Sequence, residues 1–198
     1  MKKLSLIALL FYQFSFAQSH VLIGYWHNWN DSSAPYVALN QIDNRYNVIC
    51  VSFAVPTSAS NMTMLFTPDG ITQANFISQI QTLQNQGKKV LLSIGGATTS
   101  ISLNNTTNRD AFVNSMTSIL NTYGFDGIDI DIEHGNSILA SGTITNPTSV
   151  DCINLISAIN QIKTNYFTFF NSNMMLTFAP ETAYVQGGMS ELTAIPFS

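Results

Sequence analysis

The sequence predicts an α/β protein, specifically the (β/α)8 or TIM barrel, of which about the first five βα units are present. Three observations predict it. Five short apolar runs alternate with helix-length amphipathic segments, the order of a parallel sheet with right-handed helical crossovers. A doubly wound sheet shares that order, but no Gly-x-Gly-x-x-Gly follows the first run. Polar residues also gather at the C-terminal ends of several runs, at Tyr25 and Trp26, at Ser93, and from Asp129 to Glu133; this is where barrel enzymes build their sites.

The predicted strands are Val21–Trp26, Val48–Ala54, Lys89–Ile94, Phe125–Glu133 and Met174–Ala179. They are apolar on both faces, as in a parallel sheet covered by helices. Gly95 and Gly96 close the third, and Pro180 stops the fifth. The first crossover, around Pro35–Arg45, is weak and partly loop. Thr72–Gln86 places Phe76, Ile77, Ile80 and Leu83 on one helical face, with Gly87 following as the residue past the end. Thr107-Asn-Arg-Asp110 resembles a capping box. Phe112, Val113, Met116, Ile119 and Leu120 then form a buried stripe that Gly124 closes. The last helix is expected to begin near Thr148 or Ser149 and to bury Ile153, Leu155, Ile156, Ile159 and Ile162.

Of the 198 residues, 45% are hydrophobic and 9% charged, with a net charge of −4. Typical domains carry about 25% charged residues; here Asn, Ser, Thr and Gln take their place. With 7 Lys and Arg against 11 Asp and Glu, nucleic acid and anionic membranes are poor partners, and a neutral ligand is favoured. Lys2 and Lys3 precede an interrupted apolar stretch from Leu4 to Phe16, and Ser15-Phe-Ala17 supplies small residues for cleavage. Residues 1–17 therefore read as a signal peptide cut after Ala17, which predicts secretion. Cys50, inside an apolar run, is expected to act as a small core hydrophobe, and two cysteines make no disulfide framework.

Asp129, Asp131 and Glu133 are spaced i, i+2, i+4 within Asp126-Gly-Ile-Asp-Ile-Asp-Ile-Glu133. On a strand all three share one face, about 6–7 Å apart, while Ile128, Ile130 and Ile132 face the helices. Asp126 falls on the outer parity and is expected to serve the strand entry. Burial and like-charge repulsion are expected to raise at least one pKa in the column, which suits an acid catalyst. A row of carboxylates also suits a hard metal. However, His20, His27 and His134 show no paired spacing, and neither metal nor cofactor is expected.

The acidic stretch resembles the Asp-x-x-Asp-x-Asp-x-Glu motif of family 18 glycoside hydrolases, the chitinases and their relatives. Ser93-Ile-Gly-Gly96 resembles that family's Ser-x-Gly-Gly, and Gly24-Tyr-Trp-His-Asn-Trp29 its first-strand segment in secreted microbial members. Leu176-Thr-Phe-Ala-Pro-Glu181 and Tyr184-Val-Gln-Gly-Gly188 resemble its fifth strand and the following loop. The resemblance implies hydrolysis of β-1,4 links in chitin or N-acetylglucosamine oligosaccharides with retention, the substrate's own acetamide acting as nucleophile. It implies Glu133 as general acid and base. Asp131 would hold the acetamide, and Asp129 would share a proton with Asp131. Ser93 and Tyr25 would support Asp129. Trp26, Trp29, Phe53, Gly95, Gly96, Glu181 and Tyr184 would line the sugar site.

A family barrel of about 250 residues would continue with a Met-x-Tyr-Asp strand and a late Trp. Residues 18–198 are thus expected to be the N-terminal part of a catalytic domain, inactive or unfolded alone. Two other functions fit the motif: a carbohydrate-binding relative without catalysis, and an endo-β-N-acetylglucosaminidase acting on N-glycans. The presence of Glu133 favours an enzyme over the first, and the Tyr25–Trp29 segment favours chitin over the second. A metal-dependent phosphodiesterase barrel is the non-sugar alternative.

Overall fold

The computed structural model describes residues 20–133, 138, 141–143 and 145–180. Five parallel strands form a sheet in the order β1 (Ile23–His27), β2 (Val48–Ser58), β4 (Lys89–Gly95), β5 (Gly127–Asp131) and β6 (Met175–Phe178). A short β3 (Asn61–Leu65) pairs antiparallel with the far end of β2. The crossovers are a 3-10 turn at Leu39–Gln41, then α1 (Gln73–Asn85), α2 (Thr106–Tyr123) and α3 (Val150–Phe170). All four crossovers join parallel neighbours, so the sheet is the front half of a β/α barrel, as the alternation predicts.

The β2–β3 hairpin was not expected. The predicted strand stops at Ala54, whereas β2 continues through Pro56 to Ser58. Here Pro56 lies beyond the main sheet, where β2 pairs with β3 and the register shifts between Pro56 and Ser58. The signal for β3 was the i, i+2 spacing of Met62 and Met64, which are fully buried while Asn61 and Leu65 are exposed. Met64 N also donates to Ser115 Oγ on α2 at 2.8 Å.

Helix starts follow local hydrogen-bond chemistry. Thr72 Oγ1 accepts from Asn75 N and caps α1. Asn105 caps α2 by accepting from Asn108 N at 2.9 Å, so the helix begins one residue before the predicted Thr107 start. Asp110 turns instead to Arg109, at 2.7 Å. Ser149 caps α3 as expected, accepting from Cys152 N. The buried face of α3 needs correction: Ala158, Ile159, Ile162 and Tyr166 are inside, whereas Ile153 and Ile156 are exposed. The helix settles with Asn154, Ala158 and Ile162 inward, a row at i, i+4, i+8.

The main core lies between the sheet's outer face and the helices. Ile49 and Val51 of β2, Val90, Leu92 and Ile94 of β4, and Ile128 and Ile130 of β5 meet Phe76, Phe112, Met116 and Ile162 there. Phe66, Phe76, Tyr123 and Phe125 pack with ring centroids 5.1–6.4 Å apart. A second, small cluster of Val48, Cys50, Leu91 and Met175 occupies the opposite face, the barrel interior. This division fixes which residues of each strand reach the site.

At the entry to β5, Asp126 is structural, as its parity implies. Its carboxylate accepts from Gln84 Nε2 and Val90 N at 2.9 Å and pairs with Lys89 at 2.7 Å. One side chain thereby fastens the end of α1 to two adjacent strands.

Candidate active site

Strand register assembles the site. Ser93 of β4 lies beside Asp129 of β5, and Asp129 lies beside Thr177 of β6. All three point to the interior because period-two alternation gives them the parity opposite to Ile94, Ile130 and Leu176. Asp129 is 1% exposed, and burying a carboxylate is costly unless donors replace water. Three hydroxyls do so. Tyr25 Oη and Ser93 Oγ each donate to Oδ2 at 2.9 Å, and Thr177 Oγ1 donates to Oδ1 at 2.6 Å. The sequence reading brought Tyr25 and Ser93 to Asp129; it missed Thr177. The available signal was that Thr177 is the one polar residue in Met174–Ala179 and shares the parity of interior Met175.

Partial burial, and then the Asp129 carboxylate, push the Tyr25 phenol well above its ordinary range, so it remains a donor across working pH. Cys50 sits in the same interior, within hydrogen-bonding reach of Thr177, Ser93 and Asp129. Burial, with Asp129 adding to it, pushes the thiol up to about 12. It is a core thiol with a polar neighbourhood, more than the plain hydrophobe its sequence context implied. Both cysteines are free.

These two acids hold their protons more tightly folded than unfolded, which sets a pH dependence. Their contribution to stability is fully present below the unfolded thiol value, about 8.5, and is lost as pH rises above it. The urea midpoint is expected to fall steadily above about pH 9, and Cys50→Ala should remove the earliest part of that fall. A midpoint flat from pH 7 to 10 would contradict the buried, protonated thiol.

β5 ends at Asp131, two residues short of Glu133, so the predicted strand Phe125–Glu133 is too long. Asp129 and Asp131 share the interior face by strand alternation, whereas Glu133 lies just beyond the strand end. Burial grades along the series, from Asp129, fully enclosed, to Asp131 and Glu133, half-buried at the mouth. Gly95 lies beside Asp131 in the register, and Gly96 N donates to Asp131 O at 2.7 Å. Among the described residues no three His, Cys, Asp or Glu side chains converge to hold a metal ion. His27 Nε2 lies 3.1 Å from Ala34 O, and His134 lies outside the described residues.

Next to this mouth is an open cleft of ≈ 350 Å³ lined by Asn28, Trp29, Ser52, Phe53, Gly95 and Gly96, with Ala97 to Thr99 at its rim. The Trp29 and Phe53 rings lie near-parallel, 6.5 Å apart and 20° from coplanar. The Ser52–Phe53 peptide is cis. Trp26 is not in this cleft. It is 5% exposed, donates Nε1 to Val37 O at 2.8 Å and packs on Tyr36 and Phe76. Adjacent strand residues face opposite ways, so with Tyr25 inside, Trp26 must lie under the helices. Gly95 and Gly96 line the cleft, but the space their missing side chains leave is filled by protein. A Cβ at Gly95 would run into the Asp131 carbonyl, and one at Gly96 would press on the Phe53 ring. Glu181 and Tyr184 fall outside the described residues, as does the stretch 1–17 read as a signal peptide from the sequence.

The model for "Glycosyl hydrolases family 18" matches residues 21–195. The chain belongs to this family. Its relatives include Chitinase Chi52 of Paenibacillus xylanexedens, 47% identical over 169 residues, which covers 84% of this chain and 31% of that protein. Chitinase D of Niallia circulans is 45% identical, covering 84% of this chain and 32% of the relative. A crystal structure of a family GH18 chitinase from Chromobacterium violaceum superposes with a TM-score of 0.75 at 40% identity, over 88% of this chain and 44% of that one. The chain thus spans about a third of the length of these two curated relatives. Within family 18, the half barrel described here carries the acidic strand, the Ser93–Gly96 turn and the first-strand segment in the order the resemblance requires. No helix among the described residues is long and apolar enough to cross a membrane.

Proposed function

We propose that the whole protein is a chitinase that cleaves β-1,4 links between N-acetylglucosamine units with retention, by substrate-assisted catalysis. The observation that carries this is the graded acidic column. Asp129 is enclosed and held by three hydroxyls, while Asp131, half-buried, lies beside Gly95, which lines the Trp29–Phe53 cleft, and Glu133 follows just past the strand end. In this reading Glu133 gives its proton to the glycosidic oxygen as the C1–O bond breaks, and the acetamide carbonyl oxygen closes on C1. Asp131 accepts from the acetamide N–H and stabilises the positive oxazolinium ion. Glu133, now a carboxylate, takes a proton from the water that attacks C1 and reopens the ring. Asp129, behind Asp131 on the same strand face, shares a proton with it. Trp29 and Phe53 offer flat apolar faces for pyranose rings, and the small share of charge in the chain suits a neutral polysaccharide.

Export through residues 1–17 is part of the same proposal. The test is made on protein recovered from culture medium, whose first residue is expected to be Gln18. A chitin oligomer and a high-mannose glycopeptide are offered in parallel. Chitobiose release from the oligomer with no cleavage of the glycopeptide is expected. The reverse preference would replace the chitinase reading with that of an N-glycan endoglycosidase.

A further inference from the structure

We propose that Thr177 is a positioning residue of the reaction, holding Asp129 from the side opposite Tyr25 and Ser93 and following the proton that Asp129 shares with Asp131. The inference rests on the reading of these carboxylates given above. The two oxygens of Asp129 are served differently. Oδ2 receives two donors at 2.9 Å, whereas Oδ1 receives Thr177 at 2.6 Å, the shortest of the three bonds and in the range of a hydroxyl donating to a charged oxygen. Asp129 is enclosed, so water cannot readily replace a lost donor.

The placement of the hydroxyl is rigid. Thr177 lies beside Asp129 in the β5–β6 register, and a β-branched side chain on a strand has few rotamers. A hydroxyl can donate to a carboxylate and accept from a carboxylic acid. Thr177 therefore serves Asp129 in both protonation states by rotating one hydrogen, which a valine of the same shape cannot do. The titratable groups that face Asp129 are Tyr25 from β1, Cys50 from β2 and Asp131 on its own strand. Its partners on β4 and β6, Ser93 and Thr177, do not titrate.

The experiment compares wild type, Thr177→Val and Thr177→Ser in the whole protein by the carbon-13 chemical shift of the Asp129 carboxyl at one pH, with kcat and KM for a chitin oligomer measured alongside. Loss of one hydroxyl donor to a buried carboxylate is expected to displace that signal and to lower kcat about tenfold, with KM close to that of the wild type. Thr177→Ser should restore both. Thr177→Ala repeats the comparison should valine lower stability. An unchanged Asp129 signal in the hydroxyl-free variants, or a serine variant that behaves like valine, would overturn the proposal. Failure of the wild type to cleave chitin, with the Asp129 signal still responding to Thr177, would sink the chitinase reading and leave the positioning of Asp129 standing.

Discussion

On the proposed mechanism, Glu133→Gln in the whole protein is expected to lower turnover of a chitin oligomer by about 10²–10⁴-fold, the usual contribution of a general acid and base, while leaving oligomer affinity close to that of the wild type. Glutamine has the shape of the protonated acid but no proton to give. The leaving oxygen would have to depart as an alkoxide, and no carboxylate would remain to activate water. Glu133 is half-buried at the mouth of the interior, just past the end of β5, so the replacement exposes no core and disturbs no strand pairing. A fall in kcat without a rise in KM is the signature of a group that acts in the transition state. Cleavage at wild-type rate by the glutamine variant would show that the acid has been assigned to the wrong residue.

The second large effect concerns stability. Gly95→Ala is expected to cost about 3–5 kcal/mol, combining a strained backbone with a clash that no rotamer relieves. Gly95 has φ 103, and its Cβ would be driven into the Asp131 carbonyl, the group that also accepts from Gly96 N. The neighbour is backbone of the acidic strand, so accommodating the methyl means displacing Asp131 itself. Gly87 provides the control. It too has a left-handed φ, 80, but nothing lies within 4 Å of its would-be Cβ, so Gly87→Ala should cost only about 1–2 kcal/mol. Urea denaturation of the two variants distinguishes them. Equal losses would mean that the close approach of β4 to β5 is not what Gly95 is for.

Much of this arrangement was legible before any fold was known. The alternation of apolar runs with amphipathic segments gave the order of the parallel strands. The spacing of Asp129 and Asp131 put them on one face, and the parity of Asp126 assigned it to the strand entry, where it now binds Gln84, Lys89 and Val90. Trp26 shows how the same rule was underused. It neighbours Tyr25 on one strand, so only one of the pair could face the interior, yet both were placed at the site. The extent of β5 was misread for a different reason. The Ile–acid alternation continues through Glu133, but a ladder needs a partner strand as well as a pattern, and the β4–β5 pairing ends at Gly95 and Asp131.

The sequence by itself determined the acidic column and the family it resembles, because motif spacing and strand periodicity are local properties of the chain. Only the tertiary structure decided what holds Asp129. Tyr25 is 104 residues away and Thr177 is 48, and neither distance carries a periodic signal. Their hydroxyls meet one carboxylate because the register of β4, β5 and β6 puts Ser93, Asp129 and Thr177 in a single row while curvature of the sheet brings Tyr25 across to it. The same packing made Cys50, a core residue as its sequence context implied, a neighbour of the buried acid as well. It also sent Trp26 under the helices, since the face of a strand that becomes the barrel interior is settled by which side the helices cover.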